Sequence, residues 1–343
     1  MHAAVFRLGG GVAPETARLR GQSTIENVLI AAVIGLVVVF AAPQVAGAIR
    51  NQFNRVTEAL DEGTTENTFK DAVDVPDPKR GTAFAVYSED DHSLMFYKRR
   101  GVPKVGDMFN SRRVTEVYTG FETDTYKCVK GGSNGYEYED DAVVDTPWYG
   151  ECLKIASVDV VDSGISPSSV DYWFMNFNNC IALRLNRLDT SRCNSLLRTF
   201  NRCKSATDIE VSSWNVTNVS TMLETFLDCN SLKTLNLSSW DTANNRCLHS
   251  TWNNCWSLSS IVFGSGWNTS QVTDFSCAFY SCIRLASISA DVFDTQNAIE
   301  MRCMLNSCTA LKADCSKWDV TKVIDHLGFA EDSPGVTAPR WAE

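Results

Sequence analysis

The hydrophobic positions of this chain fall into three patterns. From Val28 to Ile49 there is no charged side chain. As a helix that run would measure about 33 Å at ~1.5 Å per residue, enough to cross a bilayer core. Ala83-Phe84-Ala85-Val86-Tyr87 and Leu94-Met95-Phe96-Tyr97 are short apolar runs flanking the acidic turn Glu89-Asp90-Asp91, which predicts a β-hairpin. From about residue 166 the pattern becomes periodic. An aromatic residue or leucine stands three positions before a cysteine at Phe177/Cys180, Phe200/Cys203, Phe226/Cys229, Trp252/Cys255, Phe279/Cys282 and Leu305/Cys308. The interval between successive blocks is nearly constant, apart from a shorter first one. A degenerate seventh block begins at Phe329 without its cysteine and is expected to cap the array.

Each repeat reads as two parts joined by a corner. An L-x-x-L-x-L run, clearest at Leu232, Leu235 and Leu237, predicts a short strand with alternate residues facing outward. The corner follows at Ser-Ser-Trp240-Asp-Thr. Apolar residues then recur at i, i+3 and i+7, as in Val219, Met222, Phe226, in Val272, Phe275, Phe279 and in Ala298, Met301, Leu305. That spacing predicts one buried stripe of a two-turn helix. A single unit cannot bury its apolar side, whereas stacked units can, so the predicted architecture is a leucine-rich-repeat-like solenoid of about six repeats. Trp214, Trp240, Trp267 and Trp318 share one column and are expected in its core.

The 343 residues carry a formal net charge of -10, from 41 acids against 31 bases, which argues against nucleic acid as a partner. His2, His92, His249 and His326 are too scattered for a histidine metal site. All 13 cysteines lie from Cys128 onward. Cys128 and Cys152 are the disulfide candidates if the compartment is oxidising. The two C-x4-C pairs, Cys277/Cys282 and Cys303/Cys308, are explained by the repeat, so a reduced cysteine ladder is expected and no metal or cofactor. No G-x-S-x-G, H-E-x-x-H or phosphate loop is present, and the chain reads as a non-enzyme.

Two resemblances extend this reading. Arg18 and Arg20, then Gly21 and Gln22-Ser23-Thr24-Ile25-Glu26-Asn27, precede the apolar run. This resembles the leader of Flp/Tad-type (type IVb) pilins, and implies cleavage between Gly21 and Gln22 by a prepilin peptidase, with Glu26 as the fifth mature residue. Asn27 stands where that family commonly has tyrosine, and the chain is far longer than most members. Trp214-Asn-Val-Thr-Asn-Val-Ser-Thr-Met222 and Leu232-Lys-Thr-Leu-Asn-Leu-Ser-Ser-Trp240-Asp-Thr resemble the repeats of BspA-like leucine-rich surface proteins, which implies surface exposure and adhesion.

The expected fold class is therefore α+β. Its parts are a prepilin leader (1–21), a pilin-like transmembrane helix (22–60), a linker (61–82), a small β-rich domain (83–165), the solenoid (166–330) and a tail (331–343). The expected function is a bacterial cell-surface or pilus-associated, minor pilin-like subunit with an adhesion head. The alternatives are a single-pass anchored surface protein outside any filament and a surface enzyme using a cysteine. The expected partners are the prepilin peptidase and pilus assembly machinery, other pilin subunits, the membrane through residues 28–49, and an extracellular protein or glycan. The candidate ligand face is the outward set Thr207, Asp208, Glu210, Lys233, Thr234, Asn236, Ser259, Ser260, Ser287 and Ser289.

Overall fold

The computed structural model describes residues 81–130 and 143–341. The expected leader, the pilin-like helix and nearly all of the linker lie outside the described residues, as do Gly21, Gln22 and Glu26.

The predicted hairpin is present. Strand β1 (Thr82–Ser88) pairs antiparallel with β2 (Ser93–Arg99), Phe84 opposite Tyr97 and Val86 opposite Met95. Two short ribbons follow: β3 (Met108–Phe109) with β4 (Arg112–Arg113), and later β6 (Cys128–Lys130) with β7 (Val143–Val144). Between them β5 (Glu116–Thr119) joins the free edge of β1. The other edge of the hairpin leads into the repeats. β2 pairs in parallel with β8 (Ser157–Val160), β8 with β9 (Ala182–Arg184), and β9 with β10 (Asp208–Glu210). One six-stranded sheet thus runs β10-β9-β8-β2-β1-β5. The same parallel progression continues in β11 (Thr234–Leu237) with β12 (Ser260–Phe263), in the Ser287–Lys312 bridge, and in β13 (Ala313–Asp314) with β14 (Val336–Thr337). Parallel strands need a long return path. Here each return is the rest of one repeat.

The main core extends from Ala83 to Phe329, with smaller clusters around Phe84 and Tyr97 and around Val144 and Tyr172. Aromatic rings join its β-rich end to the first repeat: Phe96 stacks on Trp173 at 5.7 Å, and the indole of fully buried Trp148 donates to the Trp173 carbonyl at 2.5 Å. Arg99–Asp162 at 2.7 Å and Lys98–Glu122 at 2.8 Å clamp the rim.

The α+β class is corrected to a mainly β architecture. Among the described residues there is no α-helix, only the short 3-10 turns Tyr149–Glu151 and Ala290–Val292, and no helix is long and apolar enough to cross a membrane. The expected two-turn helix of each repeat is a chain of tight turns. In an α-helix each N–H bonds four residues back along its own segment. Here Met222, Glu224, Phe226 and Asp228 donate instead to Cys247, His249, Thr251 and Asn253 of the next repeat, at 2.8–3.0 Å. The intervening Thr225 and Cys229 donate three residues back, to Met222 and Phe226. This alternation needs left-handed backbone at two positions per repeat. One column holds Tyr172, Arg198, Glu224, Ser250, Cys277, Cys303 and Gly328; the other holds Asn176, Arg202, Asp228, Asn254, Ser281, Ser307 and Asp332. The apolar stripe is still buried: Val219, Met222 and Phe226 are all inaccessible. A turn every four residues points one side inward almost as a 3.6-residue helix does, so the pattern predicted the burial but not the backbone.

The first repeat is also re-registered. Phe174, not Phe177, stacks on Phe200 at 5.5 Å, and Phe200 stacks on Phe226 at 5.2 Å. The aromatic column therefore advances evenly through Phe174, Phe200 and Phe226, and the apparent short first interval disappears.

Candidate functional site

The repeat motif separates into inward-facing groups that hold the stack and outward-facing groups that do not. The cysteine after each aromatic is buried, and its thiol donates to the aromatic carbonyl one repeat earlier. The bonds are Cys203 to Phe174, Cys229 to Phe200, Cys255 to Phe226, Cys282 to Trp252 and Cys308 to Phe279, at 3.0–3.3 Å. In the final block Ser333 takes this place, its hydroxyl 2.6 Å from the Leu305 carbonyl. Burial pushes these thiols up, Cys308 to about 12, which keeps them protonated as donors. The corner tryptophans are core residues, and the indoles of Trp214, Trp240 and Trp318 donate to Leu185, Val211 and Ala290 at 2.9–3.1 Å. Thr190, Thr242, Thr269 and Thr295 donate their buried hydroxyls forward to the next corner. His326 stacks on Trp341 at 4.1 Å, closing the last repeat.

The turn face carries polar side chains that are tied to one another. Arg198 meets Glu224 at 2.7 Å, Arg202 meets Asp228 at 3.8 Å, and Asn254 donates to Asp228 at 2.9 Å. His249 lies 3.4 Å from Asp274. Burial raises the Asp274 carboxyl, but hydrogen bonds from His249 and Ser276 outweigh it and hold the pKa below the ordinary value. Ile299, Ile324 and Leu327 are exposed large apolar residues near the end of the array.

The strand face is different. Strand alternation turns Leu183, Ile209, Leu235 and Leu237 inward and their neighbours outward. All ten sequence-predicted face residues lie on this side; Glu210 is half-buried and the others are exposed. Register sets them in rows: Ser157–Ala182–Asp208, Asp159–Arg184–Glu210, Thr234–Ser260, Asn236–Val262 and Ser287–Lys312. Some are occupied locally: Thr207 and Ser259 donate to the Ile181 and Lys233 carbonyls, Asn236 accepts from the Ser238 N–H, and Asn186 donates to Glu210. The side chains of Asp208, Lys233, Thr234, Ser260, Ser287 and Ser289 make no hydrogen bond or ion pair among the described residues.

The structure adds members that the sequence reading omitted: Asp159, Arg184 and Arg187 at one end, exposed Val262 in the middle, and Lys312 and Asp314 beyond. Leu183-Arg184-Leu185 alternates just as Leu235-Asn236-Leu237 does, so that signal was available. Burial raises the Asp159 carboxyl against the opposing pull of Arg184, Arg187 and Arg112. Burial and then Asp208 raise Glu210, with Arg184 opposing. Asp159 and Glu210 thus share the field of Arg184.

Cys128 and Cys152 both lie beside the Tyr149 phenol, and the two are not bridged in this structure. Cys277 and Cys282 also separate: Cys282 enters the buried cysteine column, whereas Cys277 stands on the turn face. Among the described residues no group of three or more His, Cys, Asp or Glu side chains could hold a metal ion.

No curated protein matches this chain. Residues 168–287 and 247–332 match the family model described as "Mycoplasma protein of unknown function, DUF285". These two overlapping stretches cover the repeats, and together with the solenoid geometry they make residues 168–332 similar to a BspA-like repeat protein.

Proposed function

We propose that the chain is a bacterial surface protein whose solenoid binds an extracellular protein or glycan through its strand face. The observation that carries this reading is the set of outward polar side chains left without hydrogen-bond partners, while the polar groups of the turn face are paired with each other. Neighbouring strands lie ~4.8 Å apart, and outward residues along a strand about 7 Å apart. A polar lattice of that spacing suits an extended polymer with repeating hydroxyl, amide or charged groups. Its mixed charge favours such a ligand over a lipid surface, and the chain is read as a binder rather than an enzyme.

The test is attachment of cells that display the chain. Lys233→Glu with Thr234→Arg reverses and crowds the centre of the face without touching the core. A tenfold or greater loss of attachment, with unchanged surface display, is expected. Full attachment by that variant, or by a chain lacking residues 166–330, would refute the adhesion role.

How the head is displayed is a separate proposal that rests on the sequence around Gly21, Gln22 and Glu26. A prepilin peptidase would cut before Gln22, and the subunit would enter a Tad-type filament with other pilins through its assembly machinery. Peptide mass spectrometry of surface material decides this. A start at Gln22 is expected; a retained Met1 would leave a surface protein held outside any filament, with residues 28–49 as its contact with the membrane.

A further inference from the structure

The cysteines are not equivalent. Cys203, Cys229, Cys255, Cys282 and Cys308 are buried and committed to carbonyls of the preceding repeat. Cys180, Cys193 and Cys315 are buried elsewhere in the core. Cys277 and Cys303 differ on three counts. Both are half-buried, both hold left-handed backbone at φ 54° and 52°, and both lie in the same turn-face column, one repeat apart.

The ladder sets them side by side. Cys277 N–H donates to the Arg302 carbonyl at 2.8 Å, and Phe279 N–H donates to Met304 at 2.9 Å, which brackets Cys303 opposite Cys277. Side chains in this column do converge: Arg198 and Glu224, three repeats earlier, meet at 2.7 Å. The Cys277 and Cys303 thiols lie close enough to shift each other's titration. The Cys303 sulfur continues to the Leu327 carbonyl at 3.5 Å. Gly328 comes next in the column, where a Cβ would lie 3.1 Å from that sulfur. The rung spacing of ~4.8 Å falls within the roughly 4.4–6.8 Å Cα separation of disulfides, and closure draws the Cβ atoms together by about 1 Å.

We infer that Cys277 and Cys303 form an oxidisable dithiol that closes into a disulfide between adjacent repeats. The oxidant is a small-molecule disulfide. Burial raises both thiols, Cys277 to about 12; Arg302 opposes this at both and is the strongest opposing influence on Cys303, so Cys303 attacks first. Its thiolate displaces one small thiolate and forms a mixed disulfide. Cys277 then gives its proton to solvent and attacks the Cys303 sulfur, expelling the second small thiol. Two protein thiols become one S–S bond, and the two electrons reduce the reagent to two thiols. The bond ties together two repeats near the end of the array, where a one-dimensional stack frays most readily.

The test uses the full chain incubated with glutathione disulfide. Remaining thiols are blocked with N-ethylmaleimide in denaturant, and the protein is digested without reduction for mass spectrometry. The expected product is a linked peptide, two hydrogens lighter than its reduced parts, with fragment ions assigning the bond to Cys277 and Cys303. Cys277→Ser should instead carry a glutathione adduct on Cys303. Recovery of both cysteines as maleimide adducts, or their linkage to other cysteines, would overturn the inference. Because the wild-type digest decides this by itself, a folding defect in the variant does not rescue it.

Discussion

Replacing Ser281 distinguishes the turn architecture from the helix that the periodicity predicts, because the two give opposite signs. Ser281 holds φ 57° and donates its N–H to the Asn306 carbonyl at 2.9 Å. Left-handed backbone costs an L-residue roughly 1–2 kcal/mol that glycine does not incur. Glycine adds ~0.4–1 kcal/mol of chain entropy to the unfolded state. Ser281→Gly should therefore stabilise the protein by about 0–1.6 kcal/mol. The natural Gly328, at φ 66° in the companion column, already uses this solution. In a helix the same change would destabilise by ~0.5 kcal/mol. Ser281→Val sharpens the contrast. Valine and serine have similar helix propensities, but a β-branched side chain at positive φ is a genuine outlier, and the loss should be about 1 kcal/mol or more. Equilibrium urea unfolding, followed by tryptophan fluorescence, gives the differences from the midpoints at constant slope. The expected stability order is Gly, then Ser, then Val. A Gly variant weaker than wild type by ~0.5 kcal/mol, with Val near wild type, would refute the turn assignment.

Three further outcomes follow from the same geometry. Gly264→Ala places a Cβ 1.7 Å from the Ser238 carbonyl oxygen, so two coils must part; the loss should be about 3 kcal/mol or more, read from the urea midpoint. Phe200→Ala removes a fully buried ring stacked on both Phe174 and Phe226 and should cost ~3–5 kcal/mol, whereas Phe200→Leu should cost less than about 2 kcal/mol; equal losses would refute the expectation that aliphatic burial can stand in for the stacked ring. The folded-state pKa of Asp274 is depressed by its hydrogen bonds, so its stabilisation is present above the unfolded value of about 3.9 and is lost as pH falls through the folded value. Asp274→Asn should flatten the stability–pH curve in that acidic window, and an unchanged curve would contradict the assignment.

Much of the repeat region was legible because burial leaves a direct mark on residue type. The apolar alternation located β10 and β11 and put Thr207 through Ser289 on one face. The tryptophan column was readable as core. The cysteine period was visible too, although its purpose was not: nothing in aromatic-x-x-Cys says that the thiol bonds the aromatic carbonyl of the preceding repeat, a partner 29 or 30 residues away. A pairing of Cys128 with Cys152 is hard to read for a related reason, since proximity in sequence gives neither side-chain direction nor Cβ separation.

The sequence by itself determined that this is a stacked repeat array, which positions face inward and, from the second repeat on, where one coil ends and the next begins. Those features are one-dimensional, written as the short period of strand alternation and the long period of the repeat. Only the tertiary structure decided how the backbone travels between strands. Val219, Met222 and Phe226 are buried equally well by a helix and by a chain of turns, so their spacing cannot choose between the two. The choice depends on whether backbone N–H groups bond within a segment or to the next coil, and that next coil exists only once the repeats are stacked.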